Sequence, residues 1–201
     1  MSLSRRVALT TAAVMALAAL AAGTAAAGRL EVSSVPFTIS FNPLAITYGV
    51  TTIRCPVTLE GTFAARTFAK TTGGQVASLT RANVATSSCV NGRMTYNNEG
   101  LPWRVNYTSF SGALPSIAAI RTALVGVSFN IEGPLIPPCR FTTSSASSWN
   151  TELNREAGGT VTSVSAAGTI SSETINCSSA SFSETGRLTG EGGLAFRARL
   201  I

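Results

Sequence analysis

The chain has 201 residues, 15 basic and 9 acidic groups, a formal net charge of +6, no histidine and, with all nine acids being glutamate, no aspartate. A Ser-His-Asp or Cys-His nucleophilic site is thereby excluded, since histidine is the side chain whose ordinary pKa suits proton abstraction near neutral pH. Zinc would need imidazoles or free thiolates and calcium loops need aspartate, so neither a metal nor a cofactor is expected.

The first 27 residues read as a targeting segment. Arg5 and Arg6 precede an apolar run from Val7 to about Ala22, followed by small residues ending in Ala25-Ala26-Ala27. This is the layout of a cleaved secretory signal peptide. The Ser-Arg-Arg stretch also resembles a twin-arginine export signal. Residues 28–201 are expected to form a single exported domain, with a net charge near +4 once the two leader arginines are removed. No other segment is long and apolar enough to span a bilayer as a helix. All remaining basic residues but Lys70 are arginines, scattered singly with no run that tracks a phosphate backbone, so nucleic acid is not an expected partner. Richness in Ala, Gly and Arg with one lysine fits a GC-rich bacterial source.

Along the mature chain the apolar pattern has period two. Phe37, Ile39 and Phe41 alternate in PFTISF; Ile53, Cys55, Val57, Leu59 and Phe63 fall nearly in step in TTIRCPVTLEGTF; Val125, Val127, Phe129 and Ile131 alternate in LVGVSFNI. Such alternation in segments rich in Val, Ile, Thr and Phe predicts half-buried strands. Gly, Pro and Asn clusters at FNP, TTGG, VNG, NNEG, EGP and AGG predict the turns between them. The expected fold is all-β, an antiparallel sandwich or barrel. One stretch, Leu114 to Leu124, places Ile117, Ile120 and Leu124 at helical spacing, and reads either as a helix or as a loop entering LVGVSFNI. The stretch from Phe141 to Gly159 reads as a loop or as a strand with a hydroxylated outer face, leaving Trp149 partly exposed.

In YNNEGLPWRVNY, Trp103 and Tyr107 are spaced to share one face of a strand, and Tyr96 can join them across the turn. Exposed, the three make a sugar-stacking platform or a protein anchor; buried, Trp103 and Tyr107 seal one end of the core. Glu99 and Glu132 are the glutamates nearest aromatic or turn-rich surroundings for a glycosidase pair, and Lys70 is the one lysine available to a Ser/Lys dyad. Asn106 and Asn176 stand in glycosylation sequons, without meaning in a bacterial chain.

Four cysteines in an exported chain read as two disulfides with three possible pairings. A repeat chooses among them. The stretches beginning at Gly73 and Gly158 share Gly-Gly-x-Val-x-Ser; each is preceded by one cysteine, Cys55 or Cys139, and closed by another, Cys89 or Cys177. An internal duplication, roughly 30–114 and 115–201, implies Cys55 with Cys89 and Cys139 with Cys177.

The positions Cys55, Cys89, Leu101, Pro102 and Trp103 give the first half of the mature chain a resemblance to uncharacterised secreted bacterial β-rich proteins, and it is similar to the secreted alkane-oxidation-activator family. The second half departs from that pattern, with NCSSASFSETG and no Leu-Pro-Trp. The resemblance implies an extracellular or matrix-associated β protein with no catalytic residues to transfer. The expected function is that of a non-enzymatic bacterial cell-surface or matrix protein acting through binding or assembly, its partner a cell-envelope polysaccharide or another surface protein. The competing classes are a carbohydrate-binding module and a glutamate-dependent glycoside hydrolase.

Overall fold

A computed structural model describes residues 28–112, 117–144, 149–155 and 159–201; residues 1–27, the expected signal peptide, lie outside them. The described residues form fourteen strands and three single-turn 3-10 helices. Eight strands close into an antiparallel barrel: β2 (Pro36–Tyr48), β3 (Thr51–Phe63), β5 (Gln75–Val84), β7 (Trp103–Gly112), β8 (Ile117–Val125), β11 (Trp149–Arg155), β12 (Thr160–Ile170) and β13 (Ala180–Gly190). Their order is β11-β8-β7-β5-β3-β2-β13-β12, and pairing of β11 with β12 from Asn150↔Ala167 to Arg155↔Val161 completes the ring. A ribbon of β14 (Phe196–Leu200), β1 (Arg29–Val32) and β4 (Thr67–Ala69) branches from the start of β12. A separate three-stranded sheet, β10-β9-β6, comprises β6 (Arg93–Tyr96), β9 (Ser128–Gly133) and β10 (Ile136–Thr142).

Of the two expected architectures the chain adopts the barrel. Along β3, Ile53, Cys55, Val57 and Leu59 are buried while Arg54, Pro56, Thr58, Glu60 and Thr62 face outward or are half-buried. An apolar inside and a hydroxylated, charged outside reverse the polarity of a transmembrane barrel. Among the described residues no helix is long and apolar enough to cross a membrane. Eight strands leave an interior just wide enough for side chains, and here they fill it apart from a void of about 30 Å³ beside the Thr122–Thr151 hydroxyl pair. That is room for about one water.

Three sequence expectations change. The FNP segment is not a turn: Asn42 and Pro43 form a bulge within β2, with Phe41 opposite Val57 and Leu44 opposite Cys55, so that both apolar residues point inward. A bulge tolerates proline because its missing N–H is not needed in the ladder. LVGVSFNI is two strands, broken at Gly126 (φ 88°), so Val125 ends a barrel strand and Phe129 belongs to the small sheet. From Ile117 onward the stretch with helical spacing is strand β8, paired on both sides by β7 and β11; residues 113–116 lie outside the described set. Tertiary pairing overrides the local periodicity there. Gly61 takes the inward place between Leu59 and Phe63, where a Cβ would lie 2.5 Å from the Ser78 carbonyl and 2.6 Å from the Phe37 ring.

The small sheet is made from two excursions of the barrel chain, residues 85–102 between β5 and β7 and, among the described residues, 126–144 between β8 and β11. It contributes Met94, Phe129, Ile131, Cys139 and Phe141 to the shared core. Each excursion is fastened by one disulfide: Cys55 of β3 to Cys89 before β6, and Cys139 of β10 to Cys177 in the β12–β13 connection. This is the pairing the repeat implied. The two halves nevertheless use their cysteines in opposite senses, barrel first in one and small sheet first in the other. β3 pairs with β5 in a ladder, whereas β10 meets the segment after β12 through the isolated Phe141↔Ser172 bridge and contacts of Arg140 with Ser172, Glu173 and Thr174.

Two results are expected. Replacing Cys139 and Cys177 together by alanine lowers the unfolding free energy by about 4 kcal/mol, the chain-entropy value for a bridge spanning 38 residues, measured by urea titration. Gly61→Val costs about 1–3 kcal/mol in the same experiment through overpacking.

Candidate functional site

Closure of the barrel decides the fate of the aromatic residues. Trp103 is 1% exposed and Tyr107 3%, both inside the core, and the Tyr96 hydroxyl is buried although part of its ring reaches the surface. Tyr96 lies 5.3 Å from Trp103 and 6.3 Å from Phe129, ring centre to ring centre. The row of exposed aromatics that sugar stacking requires is therefore not formed by these residues. Trp149 is likewise buried, at 1%, against Phe182 and Phe41, correcting the expectation of partial exposure. Tyr96 of the small sheet packs on Trp103 of the barrel, and these rings lie in or against the shared core. Tyr96 Oη, Trp103 Nε1 and Trp149 Nε1 have no hydrogen-bond partner there.

The glutamates are mostly engaged by arginine. Glu60–Arg81 (3.3 Å), Glu132–Arg93 (3.6 Å), Glu152–Arg121 (3.1 Å) and Glu31–Arg199 are each directly opposed residues of antiparallel ladders, and Glu173–Arg140 (3.5 Å) joins β10 to the loop after β12. Opposite charges on opposed residues stabilise sheet pairing. Glu132 is thus tied to Arg93, and Glu99 sits exposed in a 3-10 turn, Asn98–Gly100. The clefts that Glu132 lines contain no other glutamate. Glu60 and Glu191 do share a cleft of about 310 Å³. Glu60 is held by Arg81 and Glu191 is exposed, so neither occupies the apolar surroundings that make a carboxyl a general acid. Lys70 places its ammonium 5.1 Å from the centre of the Phe110 ring, a cation–π contact.

A different group of side chains comes together on the ribbon. On β14, Phe196 and Ala198 point inward and Arg197 and Arg199 outward; on β1, Leu30 and Val32 point inward while Arg29 and Glu31 face out. Pairing of Glu31 with Arg199 and Val32 with Ala198 puts these outward residues on one surface. Arg66, in the link from β3 to β4, accepts the Val32 N–H through its carbonyl at 2.8 Å. Ser33 is fixed by two bonds to Arg197: its N–H donates to the Arg197 carbonyl and its hydroxyl accepts the Arg197 N–H, each at 2.9 Å.

Together Glu31, Ser33, Arg66, Arg197, Arg199 and Gly159 border a half-open cleft of about 300 Å³, at the lower end of small-ligand sites. Beside it, Arg155 Nε donates to the Ala198 carbonyl at 3.0 Å, and its guanidinium passes 3.3 Å from where a Cβ of Gly159 would stand. With φ at 85°, that position both needs glycine and lets the arginine approach. Among the described residues Glu31 is the one carboxylate bordering the cleft, and it is bonded to Arg199. The hydrogen bond and charge of Glu31 raise the Arg199 pKa further above its usual range.

Sequence reading missed this cluster because it joins residues 168 positions apart, Glu31 with Arg199. The available signal was the complementary alternation of Arg29-Leu30-Glu31-Val32 and Phe196-Arg197-Ala198-Arg199, two amphipathic edges with opposite charges at matching positions.

No family model, curated protein or solved structure matches the chain.

Burial separates the three tyrosines. Desolvation raises the pKa of Tyr107 and pushes Tyr96 far above the ordinary phenol range, whereas Tyr48, whose hydroxyl accepts the Ser178 N–H, is lowered. For Tyr96 and Tyr107 the folded state keeps protons that the unfolded state releases above about pH 10, so their contribution to stability is constant below that pH and declines above it. Ultraviolet titration should show Tyr48 ionising first and Tyr96 only with unfolding. Tyr96→Phe removes an unpaired buried hydroxyl and should leave stability unchanged or raise it by about 1–3 kcal/mol, with a flatter alkaline limb.

Proposed function

We propose that this is an exported, non-enzymatic protein that works at the bacterial cell surface or in the surrounding matrix by binding through its outer face. The observation that carries this reading is the arginine-bordered cleft on the ribbon: a recess of ligand size with a built basic lining, on a barrel whose interior is occupied by its own side chains. The two disulfides support the compartment, since such bridges form and persist in oxidising surroundings outside the cytoplasm. With the leader sequence they support export. The resemblance to secreted β-rich proteins agrees with this role and carries no catalytic residue into it.

The partner class is an envelope polysaccharide. A platform of Trp103, Tyr107 and Tyr96 has no part in its recognition, because those rings are consumed by the core. The remaining carbohydrate-active alternative is hydrolysis at the cleft shared by Glu60 and Glu191.

The test uses the mature protein and bacterial envelope preparations. Sedimentation with the envelope, without release of new reducing ends, is the expected result. Release of reducing ends that is lost in Glu191→Gln or Glu60→Gln replaces binding by glycoside hydrolysis, and failure to sediment with any envelope fraction overturns the proposal.

A further inference from the structure

The cleft on the ribbon has an electrostatic imbalance that identifies its occupant. Among the described residues, five arginines are matched by glutamates, four of them across a ladder. Arg66 and Arg197 are exposed, border the same recess, and have no carboxylate partner. Arg29 faces out from the same strand as Glu31 and gives one hydrogen bond, to the Thr67 carbonyl at 3.4 Å. Against these guanidinium groups the described residues of the recess supply a single carboxylate, Glu31, already bonded to Arg199. Arg54, Arg104 and Arg187 are also exposed without a glutamate partner among the described residues, but none of them borders this recess, which brings two such arginines together.

We propose that this cleft receives the carboxylate groups of an acidic polysaccharide, with Arg66 and Arg197 as the binding arginines and Glu31 as an internal competitor that holds Arg199. The assignment rests on the binding role proposed above and names its site and ligand class. Guanidinium presents a planar fork of donors that matches a carboxylate in two-point contact. The backbone that carries these side chains is held firmly, by the Glu31–Arg199 and Val32–Ala198 pairings and by the two Ser33–Arg197 bonds, so little ordering is needed on binding. A nucleic acid fits less well. No aromatic ring borders the recess for a base to stack on, and the basic lining does not continue as a track for a phosphate backbone.

Immobilised polygalacturonate is the probe, with neutral pullulan, polyglutamate and polyphosphate as comparison polymers. The mature protein is expected to be retained by polygalacturonate, weakly or not at all by the other three, and released as salt is raised. Arg66→Gln with Arg197→Gln should reduce retention roughly tenfold or more, the loss of a charge-assisted hydrogen bond. Glu31→Gln, which frees Arg199, should strengthen it. Arg104→Gln, exposed on β7 and outside the cleft, should change nothing. Circular dichroism and thermal melting establish that all variants are folded.

Equal retention by polyglutamate or polyphosphate overturns the assignment to a sugar polymer, and undiminished retention of the double arginine variant overturns the assignment to this cleft. If the double variant still sediments with envelopes while polygalacturonate binds neither protein, the cleft proposal fails and the broader binding role stands. If wild type binds neither, both fail.

Discussion

The pairing of β11 with β12 is the constraint from which the rest of the molecule follows. Once that ladder closes the ring, every strand of the barrel has an inside that must be apolar and a width that side chains must fill. The ends then need covering. One lies under the small sheet, where Trp103, Trp149, Phe129 and Phe141 are buried. The other lies near the ribbon, where Phe63 packs against Phe37, Phe68 and Phe196. These aromatic side chains are thus committed to the core by geometry, and the outer surface is left charged and hydroxylated.

That surface shows how a protein without aspartate or histidine arranges its charges. Arginine and glutamate meet mainly as opposed residues of antiparallel ladders, where an exposed pair contributes little energy, about 0–1 kcal/mol, but favours one register over its neighbours. A slip by one residue would separate each pair and also turn the apolar set outward. The ion pairs and the alternation specify the same register. The recess beside β1 and β14 differs in gathering two arginines without a carboxylate partner among the described residues, Arg66 and Arg197, at one place.

Much of the fold was legible because period-two alternation reports which residues share a face. Phe37, Ile39 and Phe41, or Ile53, Cys55, Val57 and Leu59, could be assigned to one side of a strand from the chain alone. Alternation does not say which face a wet binding residue occupies. Trp103 and Tyr107 share one face as their spacing implies, but that face is the inside of a closed barrel; Trp103 is further covered by Tyr96 of the small sheet, and the break at Gly126 that precedes β9 of that sheet is a single residue. The disulfide pairing was readable from the order of Gly-Gly and cysteine. Their structural sense was not, because sequence similarity does not record whether a cysteine lies in the barrel or in the small sheet. The ribbon cleft unites Arg66, Arg197 and Arg199, residues brought together by the long-range pairing of β1 with β14 and by the backbone bond from Val32 to Arg66.

The manner in which the small sheet is attached has one more consequence. Its strands are loops of chain thrown out from the barrel and returned to it, the kind of element that identical molecules can exchange when they fold at high concentration. A bridge from each excursion to its own barrel, one through Cys55 and the other through Cys177, makes that exchange impossible once the sulfurs have joined within a single molecule. Oxidation therefore does more than hold the fold shut. It fixes each chain as a self-contained unit before it meets a crowd of its copies.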